Sequence, residues 1–330
     1  MEYCLKLHTN RELFQDAVVA ASQSLNIPEI YIEKDYWVTV ALYEIFHSNM
    51  AEEAVFKGGT ALSKCHKLIE RFSEDIDIVV LRRKGETDSK LQRKIRKISK
   101  VVEAIMPEAE LEDVTNKKGN IRKTAHQYEK IYSGNFGQVS DHIILETTWL
   151  GNFEPFTTET LSCYIAELML EKGQGNLIED YGMVPFKVKV LSKERTFCEK
   201  VMSLVRFSRQ GDPDIDLPNK IRHIYDIHMM LLNREVKNFF NSDEFDAMLQ
   251  KVGEDDLISY KNDHEWLFEH PARAIIFDQP TETWEKIKPT YRTTFKDLVI
   301  GELPAEELIV TTLKKVANRL KQVEWHLSNE

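Results

Sequence analysis

Two aspartates separated by one residue, Asp75 and Asp77, stand at the start of the apolar run Ile76 to Leu81. Alternate residues of a strand face the same side, so both carboxylates are expected on one face, about 6–7 Å apart. Like charges at that spacing repel each other unless a divalent cation or solvent offsets them. Carboxylate oxygens are the ligands that Mg²⁺, or alternatively Mn²⁺, takes in phosphoryl and nucleotidyl transfer. The pair is therefore either a metal-binding pair or a solvated acidic strand start.

A glycine turn precedes these aspartates, in the segment Val55 to Leu62. The segment has the pattern of a strand, a Gly-Gly turn and the start of a helix, with Thr60 near the cap. Glycines let the backbone approach a triphosphate closely, and the N–H groups at a helix N-terminus favour negative charge. Gly-Gly before a helix also occurs for steric reasons alone. The predicted nucleotide-binding residues of this region are Lys57, Gly58, Gly59, Thr60 and Ser73.

A third carboxylate, Glu146, lies inside the otherwise apolar strand candidate Ile143 to Thr148. If this strand lies beside the strand of Asp75 and Asp77, Glu146 completes a metal-binding triad. It would then also help to deprotonate the attacking hydroxyl. The alternative is a glutamate on an edge strand that points to water.

The elements that must position these residues alternate in kind along the first part of the chain. Apolar spacing predicts helices at about 9–25, 30–45 and 90–105, and strands at 54–56, 76–81, 143–148 and 186–191. Beyond about residue 190 the pattern predicts helices at 197–209, 220–232, 243–249 and 305–325. The expected fold class is an α/β (α+β) domain with a mixed sheet, residues 1–190, followed by a mainly helical domain, 191–330. The glycine and two prolines between Gln210 and Asn219 predict a mobile surface loop there.

Composition limits the classes of function. The chain has 54 acidic and 44 basic residues and a formal charge of −10, so it does not coat nucleic acid by bulk attraction. The four cysteines lack CxxC or histidine spacing, which argues against a disulfide framework and against a zinc site. With neither a long apolar run nor a secretion-signal pattern, the chain is expected to be cytoplasmic and to have no membrane partner.

Two segments together resemble the signature of the AbiEii-type nucleotidyltransferases, the toxins of type IV toxin–antitoxin systems in abortive infection. The segments are Lys57–Leu62 (KGGTAL) and Arg71–Asp77 (RFSEDID). Further segments resemble the same family: Glu33–Trp37 (EKDYW), and Glu199–Lys200 followed by Arg222–Asp226 (RHIYD). The likeness spans residues 30 to 230. It departs from the family pattern at His223, where the family commonly has aspartate.

The resemblance implies a nucleotidyltransferase of the DNA polymerase β-like superfamily. It would transfer a nucleoside monophosphate from an NTP, with Mg²⁺, to an RNA such as the tRNA 3′ end. It implies that Lys200 contacts nucleotide phosphate and that Asp226 supports the site from a helix, which makes Asp75, Asp77, Glu146, Lys200 and Asp226 the expected catalytic residues. A cognate antitoxin acting without a stable complex is also implied. An ordinary helix face at Lys200, and an Asp226–Arg222 pair, are the alternatives for the last two residues.

Several roles stay open at the level of sequence. Glu33, Lys34 and Asp35 either cap and pair within a helix or contact ligand. The basic helix from Lys90 to Lys100, with Arg82–Lys84, either holds RNA phosphates or is a solvated helix. The acceptor is alternatively a small molecule or a protein hydroxyl, and a non-catalytic nucleotide- or RNA-binding regulator is the third class.

Overall fold

The computed structural model describes residues 5–112, 114–117, 119–133, 139–260 and 263–327. They form two compact units. The first takes its residues from Met1–His66, Phe72–Trp149 and Phe156–Leu191, and the second from Lys67–Arg71, Leu150–Pro155 and Ser192–Glu330. That residues 1–190 and 191–330 act as separate domains stays a prediction.

A seven-stranded mixed sheet organises the first unit, in the order β3-β4-β5-β2-β1-β7-β6. The pairs β2/β5 and β1/β7 are parallel and the other pairs are antiparallel. The fold class read from the sequence is thus confirmed. The strands are β1 (Ala54–Lys57), β2 (Ile76–Val80), β3 (Glu108–Ala109), β4 (Ile121–His126), β5 (Ile143–Thr148), β6 (Phe156–Leu161) and β7 (Phe186–Leu191).

Six α-helices accompany the sheet among the described residues of this unit. They are α1 (Arg11–Leu25), α2 (Glu29–His47), α3 (Gly58–Lys64), α4 (Asp88–Glu103), α5 (Tyr164–Glu171) and α6 (Gly175–Asp180).

The two faces of the central strands differ in what covers them. Ile76 and Ile78 on β2 are fully buried. On the same face, the Thr147 hydroxyl of β5 lies 3.4 Å from the Ile95 carbonyl of α4, so α4 packs against this side. Because residues alternate along a strand, Asp77 and Glu146 point to the opposite face. Asp77 and Glu146 therefore lie on the face of the sheet opposite α4.

Helix α2 carries three successive charged residues, Glu33, Lys34 and Asp35, that are 0%, 0% and 4% exposed. Consecutive helical residues point about 100° apart, so each reaches a different neighbour. Glu33 accepts hydrogen bonds from the Ile131 and Tyr132 amides at 2.7 and 3.1 Å. These contacts anchor a distant segment to α2, and whether Glu33 also contacts a ligand stays open.

The other two charges of α2 fix further segments. The Lys34 ammonium donates to the carbonyls of Ser140 and His142, the latter at 2.9 Å, and lies 3.8 Å from Glu74. Glu74 in turn accepts from the Ser140 amide at 2.9 Å. Desolvation lowers the pKa of Lys34, and the carboxylate of Glu74 works against that effect. The chain just before β5 is thereby held against α2 and against the approach to β2.

Asp35 forms a buried ion pair with Lys64 of α3 and accepts from the Tyr164 amide at the start of α5, at 2.8 Å. Burial alone would lower the pKa of Lys64, but the attraction of Asp35 outweighs it and raises that pKa. The helix that begins at the glycine turn is thus tied to α2 and α5 by one carboxylate.

The second unit is helical, as the sequence indicated. Its α-helices are α7 (Lys193–Phe207), α8 (Pro213–Asn219), α9 (Ile221–Leu232), α10 (Arg234–Phe240), α11 (Asp243–Ser259), α12 (Ile275–Asp278), α13 (Pro280–Thr290) and α14 (Glu306–Leu320).

The prediction of a loop from Gln210 to Asn219 is wrong for most of that stretch, since α8 occupies Pro213–Asn219. Pro213 stands at the first helical position, where its missing N–H has no intrahelical partner to lose. Asp212 caps the helix by accepting from the Asp214 amide at 3.0 Å. Pro218 falls in the last turn of a helix of 7 residues, where little helix follows it.

A buried arginine explains why Leu150–Pro155 belongs to the second unit. Arg195 of α7 is 0% exposed. It donates to the Glu154 carbonyl at 3.1 Å and pairs with Asp255 of α11 at 2.8 Å. The Ser192 amide also donates to the Pro155 carbonyl at 2.9 Å. This short segment is therefore fastened to α7 and α11.

Among the described residues, no helix is both long and apolar enough to span a bilayer. Cys65, Cys163 and Cys198 carry free thiols, and Cys4 lies outside the described residues.

The buried pair of Asp35 and Lys64 gives a prediction on stability. Asp35→Ala should lower the free energy of unfolding by about 3–5 kcal/mol, because it leaves the Lys64 ammonium buried without its partner. Urea unfolding followed by circular dichroism measures this. The double variant Asp35→Leu/Lys64→Met should recover most of the loss, since both charges are then gone. A single-variant loss below about 1 kcal/mol would show that the pair contributes little.

Candidate active site

Four charged residues form one row across the first unit's sheet. Asp77 on β2 lies directly opposite Lys57 on β1 and directly opposite Glu146 on β5. Glu146 in turn lies directly opposite Lys123 on β4. Cross-strand partners share a face, and neighbouring strands lie about 4.8 Å apart. The row therefore reads lysine, aspartate, glutamate, lysine on the face opposite α4.

The glycine turn lies against the first carboxylate of the row. Gly58 has φ of +81°, a conformation that L-residues with a side chain rarely adopt. A Cβ placed at Gly58 would overlap Asp77 Oδ2. Both the backbone angle and the close approach of Asp77 require glycine here, so the turn and the carboxylate form one structural feature.

The surroundings of Asp77 disfavour its ionised form. Burial, followed by the carboxylates of Glu146 and Asp75, raises the pKa of Asp77 to about 7. Lys57 and Lys123 act in the opposite direction and do not restore the ordinary pKa. Strand β5 is paired with β4 and β2, so the alternative that placed Glu146 on an edge strand is wrong.

Thr60 positions the backbone of the acidic segment. Thr60 is the third residue of α3, and its side chain is fully buried. The hydroxyl donates to the Asp75 carbonyl at 2.7 Å and lies 3.0 Å from Ser73 Oγ. In this arrangement the backbone of Gly58 and Gly59, rather than the Thr60 hydroxyl, is the part of the turn suited to phosphate.

The donor set fits a hard divalent cation. Mg²⁺ is commonly held by one or two carboxylates, the rest of its shell being water and substrate phosphate oxygens. Asp77 and Glu146 are two such carboxylates side by side, and their mutual repulsion would be offset by a cation. Within the described residues no three His, Cys, Asp or Glu side chains cluster closely enough to hold a metal by themselves. The full triad with Asp75 stays a prediction.

Asp226 and Lys200 lie together in the second unit. Asp226 of α9 is 0% exposed and accepts from Arg71 at 2.7 and 2.8 Å and from Lys200 of α7 at 2.7 Å. Burial works to raise the pKa of Asp226, but Arg71 and then Lys200 outweigh it and hold that pKa well below its usual range. Asp226 is therefore a carboxylate whose ionised form is favoured and which holds two cations.

His223, the residue that departs from the family pattern, lies at the edge of this cluster. Its Nδ1 is 3.4 Å from the Lys200 ammonium. Burial, then the positive charges of Lys200 and Lys220, lower the pKa of His223 well below its usual value. His228, also on α9, instead contacts the Thr312 hydroxyl at 2.8 Å. The two histidines thus have separate partners.

The basic helix is only partly available to a ligand. Lys94 of α4 is buried and contacts the Leu81 carbonyl at 2.8 Å and the carboxylates of Glu86 and Glu53 at 2.7 Å. Lys100 forms an exposed pair with Glu103 at 2.5 Å. The helix lies on the side of the sheet away from Asp77 and Glu146. Its role in binding RNA stays a prediction.

Two residues of these clusters were not singled out by sequence reasoning. Lys123 was missed because β4 mixes basic and β-branched residues without a clear apolar alternation. Arg71 was read only as part of a motif. Its partnership with Asp226 joins residues that are 155 positions apart, which no local pattern encodes.

Among curated protein sequences, none matches the chain. MenT4, a nucleotidyltransferase toxin from Mycobacterium tuberculosis H37Rv, shares the fold with a TM-score of 0.54 and 14% identity, over 93% of this chain and 90% of that one. JHP933 from Helicobacter pylori aligns with a TM-score of 0.38 and 14% identity, over 86% of this chain and 91% of that one.

The family described as "Nucleotidyl transferase AbiEii toxin, Type IV TA system" matches residues 40–317, which is most of the sequence. The chain therefore belongs to the AbiEii nucleotidyltransferase toxin family of type IV toxin–antitoxin systems.

Proposed function

We propose that the chain transfers a nucleoside monophosphate from an NTP to the hydroxyl of an RNA acceptor, with release of pyrophosphate and with Mg²⁺. The observation that carries the proposal is the contact of the Asp77 carboxylate with the Gly58 backbone, beside Glu146. A phosphate-binding turn and a pair of carboxylates at one point are what nucleotidyl transfer requires. The tRNA 3′ end as acceptor rests on family resemblance.

Different residues at the charged row would bind the triphosphate and the metal ion. The backbone of Gly58 and Gly59 and the Lys57 ammonium would bind the triphosphate. Asp77 and Glu146, with Asp75, would hold Mg²⁺. The ion, when bound, would supply positive charge to the phosphate oxygens as charge moves to the leaving pyrophosphate.

Glu146 would also accept the proton of the attacking hydroxyl. Ionised carboxylates accept hydrogen bonds and protons, and this one projects from a central strand whose backbone is paired on both sides. A rigid position for the proton acceptor favours transfer, because the geometry must be held closely at the reacting atoms.

Lys200 is assigned to nucleotide phosphate by resemblance, and its contacts in the second unit are compatible with that role. Its ammonium is 2.7 Å from Asp226, whose second cation, Arg71, also satisfies the carboxylate. The Lys200 ammonium could therefore turn towards a phosphate, because Arg71 would still pair with Asp226. Asp226 is then a positioning residue.

A cognate antitoxin is expected from the family, and we propose that it opposes the enzyme without a stable complex. Expression of the wild-type chain alone should then arrest growth, and Asp77→Asn should relieve the arrest. An acceptor hydroxyl on a protein or a small molecule is the second candidate, favoured by the net charge of −10.

The direct test offers α-labelled NTPs, Mg²⁺, total RNA and cell protein together to the purified chain. Label in RNA that is lost with Asp77→Asn supports the proposal. Label in protein or in a small product instead would establish the second candidate, and Mg²⁺-dependent NTP binding without any transfer would indicate a non-catalytic regulator.

Asp77→Asn should abolish transfer and yet stabilise the metal-free fold. The folded-state pKa of about 7 exceeds the ordinary value of 3.8, so the folded state binds more protons and loses stability as pH rises from about 4 to about 7. In EDTA at pH 8 the variant should melt several degrees above the wild type, and at pH 4 the difference should nearly vanish. Asp180→Asn, an exposed charge loss, is the control. Equal melting points at pH 8 would contradict a desolvated Asp77.

Gly58→Ala should lower transfer about 100-fold, because the added Cβ displaces Asp77 and a misplaced group near the reacting atoms is costly. Gly85 has the same φ of +81° and no heavy atom within 4 Å of a built Cβ. Gly85→Ala is therefore a matched control for backbone strain alone. Rates from initial velocities and melting curves of both variants make the test. Similar loss of activity in the two would show that strain, rather than the contact with Asp77, is responsible.

Lys200→Met and Asp226→Ala should separate chemistry from folding. Lys200→Met leaves Asp226 paired with Arg71, so the fold should persist while kcat falls at least about tenfold. Asp226→Ala strands two buried cations and should cost about 3–5 kcal/mol of unfolding free energy. Urea unfolding and kinetics are measured on both. Wild-type kcat in a folded Lys200→Met would remove Lys200 from the mechanism.

A further inference from the structure

Lys123 closes the charged row on the side away from the glycine turn. The order across the sheet is Lys57, Asp77, Glu146, Lys123, so the two carboxylates separate Lys123 from the turn that follows Lys57. With strands about 4.8 Å apart, Lys123 is three strand spacings from Lys57. If the triphosphate lies at the turn, the β4 end of the row is the side from which an acceptor approaches.

The backbone of Lys123 is held on both sides. It pairs with Glu146 across β4 and β5, and on its other side it forms a bridge with Asn116, with N···O distances of 2.9 and 2.6 Å. The strand therefore presents this side chain at a fixed place on the face of Asp77 and Glu146. A cation on a rigid strand is better suited to positioning a ligand than one on a loop.

The side chain of Lys123 is half-buried, and its ammonium has no ion-pair or hydrogen-bond partner among the described residues. Its charge does reach the carboxylates, because Lys123 lowers the pKa of Asp77. If its task were only to neutralise Glu146, a direct pair within 4 Å would be expected. Lys34, Lys64 and Lys94 are each paired with a carboxylate. The contrast indicates that the Lys123 ammonium is available to bind a ligand.

We infer that Lys123 binds a backbone phosphate of the nucleic-acid acceptor and so places the acceptor hydroxyl beside Glu146. The inference rests on the proposed function and specifies the acceptor as a phosphate-bearing strand. A Lys ammonium is a mobile point charge well suited to a phosphodiester, and a nucleic-acid strand carries one such group at every nucleotide. A chain with net charge −10 must hold a polyanion by individually placed cations of this kind.

The neighbouring residue supplies the matched control. Arg122 lies on the same strand and carries the same charge, but it pairs opposite Thr147 and therefore faces α4. Its guanidinium lies 3.3 Å from Glu108. Arg122→Met removes one positive charge from β4 without touching the face of Asp77. Melting curves of both variants report any shared effect on folding.

The experiment measures steady-state transfer to a 12-nucleotide single-stranded RNA with a free 3′-hydroxyl, using the NTP that gives the highest rate. Lys123→Met should raise KM for the RNA about tenfold and leave KM for the NTP within about twofold. The slope of log KM against log[KCl] should fall by roughly 0.7, as for the loss of one single-strand phosphate contact. Lys123→Arg should recover most of the affinity, and Arg122→Met should leave both KM values nearly unchanged.

Several results would overturn the inference. A rise in KM for the NTP alone would place Lys123 at the triphosphate, and equal effects of Lys123→Met and Arg122→Met would reduce it to a bulk-charge effect. Binding of the same fluorescent RNA without NTP, measured by anisotropy, tests Lys123 separately from turnover. If the wild type labels only protein and binds no RNA, the RNA acceptor of the proposed function fails. If the Lys123→Met and Lys123→Gln variants bind RNA as tightly as the wild type does, only the proposed role of Lys123 fails.

Discussion

The contact between the Asp77 carboxylate and the Gly58 backbone is the constraint on which the first unit depends. Gly58 has a positive φ and a Cβ there would overlap Asp77, so both features require glycine. It also places a carboxylate on a central strand beside Glu146, where burial and repulsion raise its pKa to about 7. The buried anchors of α2 act around this contact: Asp35 holds the helix that begins at Gly58, while Lys34 and Glu74 hold the chain that enters β5.

Two aspartates in opposite surroundings, Asp77 and Asp226, have pKa values that are shifted in opposite directions. Asp77 has carboxylates as its nearest strong influences, so its negative charge is poorly compensated and suits a cation. Asp226 has Arg71 and Lys200, so it stays ionised and serves to fix other groups. The first arrangement costs stability unless a cation offsets the repulsion, and the second is a paired charge that supports its surroundings.

The charged row would allow an acidic protein to bind the proposed polyanionic acceptor. Bulk attraction is excluded by the net charge, and much of the basic side of α4 is engaged in pairs with neighbouring carboxylates. A lysine lies at each end of the carboxylate pair, where phosphates would lie in the proposed reaction.

The sequence by itself determined the local features: the glycine turn, the spacing of Asp75 and Asp77, four of the strands, and the family, because turn residues and alternation act over a few positions. It could not show that Thr60 binds the Asp75 carbonyl, that Asp226 pairs with Arg71, or that Pro213 begins a helix. Nor could it place Lys123 beside Glu146, since β4 carries little apolar alternation. Those outcomes depend on strand register and on contacts between distant residues, where a shift of one residue would turn each side chain to the other face of the sheet.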